Sequence, residues 1–98
     1  NADLVITGEG CTDFQTAFGK APVGISKLAK QFGVPVICLS GSLGQGYHEV
    51  LACDIDALMN IQPYPMGLEQ CIAEAETLTE EAAFRLGLLL RVGIKLKI

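Results

Sequence analysis

The sequence predicts an α/β fold, a parallel sheet with flanking helices of the Rossmann-like or flavodoxin-like kind, and three observations predict it. Two short apolar runs, Leu4-Val5-Ile6 and Val36-Ile37-Cys38-Leu39, read as strands buried on both faces, as in a sheet covered by helices. Each run leads into a glycine-rich stretch. Between them lies a segment with apolar residues at Val23, Ile25, Leu28, Ala29 and Phe32, a helical stripe with Lys27, Lys30 and Gln31 facing away. Strand, helix and strand in that order make a βαβ unit, whose crossover is right-handed and whose strands are parallel almost without exception.

Taken in order, the first strand is expected over residues 3–7, followed by a loop over 8–20. Pro22 suits a first helical turn and Gly33 the position just past the end, so the helix is placed over 22–32. A second strand is expected over 34–39, with Pro35 at its start, where a missing donor matters least. It should run into a second glycine-rich turn, Ser40-Gly41-Ser42-Leu43-Gly44-Gln45-Gly46. Both turns then open on the same edge of the sheet. A short helix over 47–52 and a third strand over 57–61 follow, and Pro63 and Pro65 rule out regular structure over 62–67. From residue 68 to about 92 the pattern is helical, with a stripe at Ile72, Ala75, Leu78, Ala82, Leu86 and Leu89. Thr79 with Glu80 and Glu81 could cap a second helix, so one long helix and two abutting ones both remain open.

With 98 residues the chain is expected to be a single α/β fragment, residues 1–98, and its lack of an initiator Met suggests a piece of a longer protein. Half the residues are hydrophobic and only 18% are charged, so some apolar surface is expected to belong against the remainder of a parent chain. A net charge of -4 with dispersed Lys and Arg argues against a nucleic-acid partner. No apolar run is long enough to span a membrane. The four cysteines, Cys11, Cys38, Cys53 and Cys71, have no C-x-x-C spacing, which points to reduced, structural thiols in a cytoplasmic protein.

The stretch after the first strand carries the chemistry. Gly8, Gly10 and Gly19 let backbone approach a ligand, while Glu9, Asp13, Gln15, Thr16 and Lys20 supply charges of both signs and neutral hydrogen-bonding groups. It is not a phosphate-binding P-loop: Phe14 stands where the first glycine should be, and Ala21 replaces the Ser or Thr that would hold magnesium. Gly41, Gly44 and Gly46 carry the dinucleotide fingerprint spacing in reverse, which argues against a dinucleotide cofactor. His48, the only histidine, has no evident Ser, Cys or carboxylate partner and reads as inert. The glutamates Glu69, Glu74, Glu76, Glu80 and Glu81 read as the solvated face of the last helical region.

Thr7-Gly8-Glu9-Gly10, Asp13, Gln15-Thr16, Gly19-Lys20, Pro22 and Gly24, followed by Pro35-Val36-Ile37 and Ser40-Gly41, resembles the carboxyl-terminal segment of the type I glycerate kinase family over nearly the whole chain. That resemblance implies one part of a two-domain α/β enzyme that uses ATP and Mg2+ to phosphorylate D-glycerate in the cleft between its domains. Many members carry Arg directly after Gly-Glu-Gly, and here Cys11 stands there. Phosphoryl transfer needs a cation near the moving group, a carboxylate for magnesium or for the hydroxyl proton, and close backbone donors. Lys20 is accordingly expected to bind phosphate or carboxylate, and Asp13 to hold magnesium or act as general base. Glu9, Gln15 and Thr16, with Gly8, Gly10 and Gly19, are expected to contact substrate or nucleotide, and Ser40, Gly41 and Ser42 to present amides and hydroxyls to the same cleft. Each has a plainer alternative: a solvated lysine, a loop cap, or structural hydrogen bonds. Two other functional classes stay open, a non-catalytic nucleotide or small-anion binding module and an interaction domain.

Overall fold

The structure is a computed structural model describing residues 2–13 and 21–96, those of 21–23 through their backbone. The chain divides into two compact units, Asn1–Asn60 and Ile61–Ile98. In the first, β1 (Val5–Thr12), α1 (Ala21–Gln31), β2 (Val36–Leu43), a 3₁₀ helix (Tyr47–Cys53) and β3 (Ala57–Asn60) form a parallel three-stranded sheet in the order β1-β2-β3 with its crossover helix. The predicted α/β class and the parallel strands are what the structure has.

The helix follows the expected bounds to within a residue, and Gly33 closes it with φ 68°, a conformation that favours glycine. Its apolar stripe behaves differently. Val23 lies outside the described side chains; among the others of α1 Ser26 and Ala29 are the buried positions, while Ile25 and Leu28 are exposed and Phe32, just past its end, is 75% exposed. The inward face of α1 is narrow because small residues meet the layer beneath it, with Ser26 Oγ donating to the Cys53 carbonyl at 2.9 Å. The longer apolar side chains stand outside. They line, with Ala2, Val5, Ala29 and Val34, an apolar groove of about 470 Å³.

The strands run longer than the sequence suggests. β1 continues through Gly8-Glu9-Gly10-Cys11-Thr12 and β2 through Ser40-Gly41-Ser42-Leu43, so the two stretches expected as loops begin as paired strand. The register runs from Val5 opposite Val36 to Thr12 opposite Leu43. Glycine is a poor strand former on its own, but here it serves the pairing: a Cβ on Gly41 would sit 2.5 Å from the Gly10 carbonyl oxygen. Only a residue with no side chain fits. Burial along β1 alternates from Val5 to Gly10 and then breaks, with Cys11 exposed as Gly10 is, and Thr12 fully buried.

Cys38, Val50 and Ile55 make the core of this unit, flanked by Cys53 and Leu58. Burying Val50 and Ile55 contributes roughly 1.5–3 kcal/mol each. At the amino-terminal ends of the strands, Val5 N–H donates to the Pro35 carbonyl, and Asp56 accepts the Val36 N–H on Oδ2 at 2.8 Å while its own N–H returns to the Val36 carbonyl at 2.9 Å. Lys30 Nζ meets Asp54 Oδ1 at 2.8 Å. Asp54 has φ 72°, in the left-handed region that Asp tolerates better than most residues.

The second unit holds α2 (Leu68–Ala73) and α3 (Ala75–Leu96). They abut as two helices, and the break comes at Glu74, ahead of Thr79, where capping was expected. The Glu74 N–H still donates to the Gln70 carbonyl at 3.0 Å, but its φ of -107° and ψ of 16° turn the chain. Cys71, Leu78, Ala82 and Leu86 are buried as a stripe, whereas Ile72, Ala75 and Leu89, expected on it, are exposed. The five glutamates are exposed as a solvated face should be. No helix among the described residues is long and apolar enough to cross a membrane.

Replacing Gly41 by Ala should destabilise the 98-residue chain by about 1–3 kcal/mol, the usual cost of overpacking where backbone must shift. Urea unfolding followed by far-UV circular dichroism would show it, and an unchanged midpoint would mean that the strands part at Gly10 without penalty. The hydrogen bond and the charge of Asp54 raise the Lys30 pKa above its ordinary value of 10.5. The ion pair therefore contributes fully below 10.5 and fades as pH rises through the raised folded-state value. Asp54→Asn, which keeps tolerance for the left-handed backbone, should lower stability at neutral pH and match the parent under strongly alkaline conditions. A gap of constant size across that range would contradict the ion pair.

Candidate active site

The carboxyl-terminal ends of β1 and β2 lie side by side, the edge at which parallel α/β sheets hold ligands. Thr12 is opposite Leu43, and the Gly44 N–H donates to the Thr12 carbonyl at 2.7 Å. Directly beyond it stands Asp13. A Cβ on Gly44 would lie 2.9 Å from the Asp13 Cβ, 3.7 Å from its Oδ2 and 3.4 Å from Cys11 Sγ. Gly44 thus leaves the space into which both side chains are folded.

The expected site residues other than Ser40 divide into three groups. Asp13, Gly10, Gly41 and Ser42 are brought to this edge: Cys11 pairs with Ser42, and Asp13 lies over Gly44. Gly8 and Glu9 sit within the paired strand, opposite Leu39 and Ser40, and the Glu9 carboxylate accepts the Gly10 N–H at 3.3 Å, a tie to its own backbone. Gln15, Thr16, Gly19 and Lys20 lie outside the described residues. Lys20 directly precedes α1, which begins at Ala21.

Ser40 does not present its hydroxyl outward. It is fully buried, and its Oγ is hydrogen-bonded to Thr12 Oγ1, with Cys38 Sγ 3.7 Å away. The expectation of a loop at Ser40 fails because β2 carries on through it with the strand covered on that face. Thr12, which sequence reasoning passed over, is its partner and is likewise fully buried. The alternation of burial in β1 gives the reason it was missed: continued regularly, it would have left Thr12 on the exposed face.

All four cysteines are present as thiols, Cys38 and Cys71 buried as expected and Cys11 exposed at the strand ends. His48 is exposed, its ring edge-on to Tyr47 with centroids 5.8 Å apart. Among the described residues no group of three or more His, Cys, Asp or Glu side chains is placed to hold a metal ion. A metal at this edge would have Asp13 as its carboxylate and draw other ligands from elsewhere, which suits magnesium, commonly held by one or two carboxylates together with substrate phosphates.

The profile of the glycerate kinase family matches residues 1–91. The chain belongs to the glycerate kinase family. It is 51% identical over 83 residues to a glycerate kinase of Halalkalibacterium halodurans and 45% identical over 83 residues to one of Bacillus subtilis, each match covering 85% of this chain. A glycerate 2-kinase of Escherichia coli is 43% identical over 58 residues, covering 59% of the chain and 15% of that relative. The chain spans 22% of the length of the Halalkalibacterium and Bacillus subtilis relatives. Within this family segment, the described part of the candidate site is the pair of strand ends that carries Asp13 and Gly44.

Exposure orders the thiols. A small thiol reagent should modify Cys11 first, Cys53 more slowly, and Cys38 and Cys71 only once the chain is unfolded. Cys11→Ser should remove the fast phase, and rapid labelling of Cys38 in the native chain would show that the strand ends open.

Proposed function

We propose that this chain is the carboxyl-terminal segment of a type I glycerate kinase, and that the whole enzyme transfers the γ-phosphoryl group of ATP to a hydroxyl of D-glycerate. Membership in the family supports the reaction, and the placement of Asp13 over Gly44 at the carboxyl ends of two parallel strands supports the site. On this reading Asp13 either accepts the glycerate hydroxyl proton or holds Mg2+. When bound, Mg2+ would supply charge neutralisation on the phosphate oxygens.

The other roles follow from position. Lys20, next to the first turn of α1, supplies a cation for phosphate or for the glycerate carboxylate. Gln15 and Thr16 are polar enough to read the glycerate hydroxyls, Gly10, Gly41 and Ser42 bound the edge beside Asp13, and Gly8, Glu9 and Gly19 are assigned to substrate or nucleotide contact on the family resemblance alone. Cys11 brings no positive charge where many members place Arg, so the load on Lys20 and on the remainder of the parent chain is greater. The exposed Ile25, Leu28 and Phe32 supply an apolar face for that remainder, whose other domain closes the cleft. A cytoplasmic location agrees with four thiols.

In the full-length protein, Asp13→Asn should lower kcat by about 10²–10⁴-fold, the range for losing a positioned acid or base. Lys20→Ala should lower kcat/KM while leaving the fold intact. A coupled assay for ADP release with D-glycerate, beside thermal unfolding of each variant, checks both. Wild-type turnover by Asp13→Asn would reject Asp13 as the working carboxylate, and ligand binding without any turnover by the parent protein would favour a non-catalytic binding module.

A further inference from the structure

Two hydroxyls meet in the interior directly beneath the candidate site. Thr12 Oγ1 and Ser40 Oγ are hydrogen-bonded to each other, and Cys38 Sγ lies 3.9 Å from the first and 3.7 Å from the second. All three residues are fully buried. A hydroxyl pair there is costly to desolvate, its partners among the described residues are the two hydroxyls themselves and the weakly bonding Cys38 thiol, and an apolar pair of the same shape would be about as stable. Core stability therefore does not account for it.

Its place in the fold does. Thr12 is held twice by β2, through its side chain at Ser40 and through its carbonyl at the Gly44 N–H, 2.7 Å away. The next residue is Asp13. With Thr12 fixed at both its backbone and its side chain, the direction in which the chain leaves β1, and hence where the Asp13 carboxylate is carried over Gly44, is fixed as well. Burial along β1 loses its alternation at Cys11 and Thr12, and the Thr12 hydroxyl stands inward against Ser40. The hydroxyl pair adds a side-chain tie to the backbone pairing at the strand end.

We propose that Thr12 and Ser40 are positioning residues for Asp13, acting through the Thr12 main chain and without contact to substrate. The inference rests on the reading of Asp13 as the working carboxylate of the kinase. Misplacing a reacting group by about an ångström can lower a rate by roughly 10²-fold. In the full-length enzyme, Thr12→Val should thus lower kcat by about 10–100-fold with little change in KM for ATP or D-glycerate. Thr12→Ser, which keeps the hydroxyl, should restore most of the rate. Ser40→Ala should resemble Thr12→Val, and the double variant should be no worse than either, as expected of groups acting as a unit.

Should Thr12→Val fail to fold, Ser40→Ala, which adds no volume, carries the same expectation. Wild-type kcat in Ser40→Ala, a Thr12→Ser variant as slow as Thr12→Val, or a loss confined to KM or to melting temperature would each overturn the proposal. Asp13→Asn measured alongside separates the two levels: if it is slow while the hydroxyl variants are not, only the positioning role falls. If Asp13→Asn turns over normally, the reading beneath it falls too.

Discussion

The candidate site depends on the close passage of β1 against β2 at Gly10 and Gly41. With 2.5 Å between the position a Gly41 Cβ would take and the Gly10 carbonyl oxygen, neither a methyl group nor any longer side chain can stand there. What the absence of side chains permits is continuation: both strands run on past the apolar core to Thr12 and Leu43, and so end level with one another. If pairing stopped at Gly8 and Leu39, Asp13 would be at the end of a loop several residues long. Instead it is one residue beyond a paired strand, with the precision that pairing confers.

The same contact explains which parts of the fold could be read from the sequence. Local signals located α1, because Gly33 and the helical stripe act within a few residues of themselves, and they located β3 to within one residue of Asn60. They failed at Gly8-Glu9-Gly10 and Ser40-Gly41-Ser42, since glycine and serine in isolation favour turns. Their strand character comes from a partner about thirty residues away in the chain. Thr12 was invisible for a related reason. Its inward turn reflects a break in β1 alternation at Cys11, and periodicity continues a pattern without anticipating where it breaks. Asp13, by contrast, was legible from residue type and position after a strand, which the longer strand changed only in detail.

The apolar residues left outside are equally instructive. In the first unit Ile6, Ile25, Leu28 and Phe32 are exposed, and in the second Phe84, Leu89 and Ile94 are. Single exposed apolar residues need no explanation, but Ile25, Leu28 and Phe32 share one groove. On α3, Arg85 buries Nε and Nη2 with no hydrogen-bond partner among the described residues, an arrangement that is destabilising unless an acceptor arrives. A chain spanning 22% of its relatives' length, with few charges and these faces uncovered, is what a piece taken from a larger packed structure should look like.

The two ends of the sheet differ in what holds them, and that difference bears on where a ligand belongs. At the amino-terminal end there is a polar hollow of about 270 Å³ lined by Lys30, Gly33, Val34, Pro35, Asp54 and Asp56. Its lining has the chemistry of a cation or amine site, yet Asp54 is paired with Lys30 and Asp56 accepts the first N–H of β2. Those acids hold the crossover helix and the start of the central strand in place. A ligand would have to displace interactions on which the unit itself relies. At the carboxyl-terminal end the pairing runs to Thr12 and Leu43 and is closed by the Gly44 N–H on the Thr12 carbonyl, so backbone groups carry the strands to their ends. A ligand approaching from beyond that edge meets a sheet whose pairing is already made.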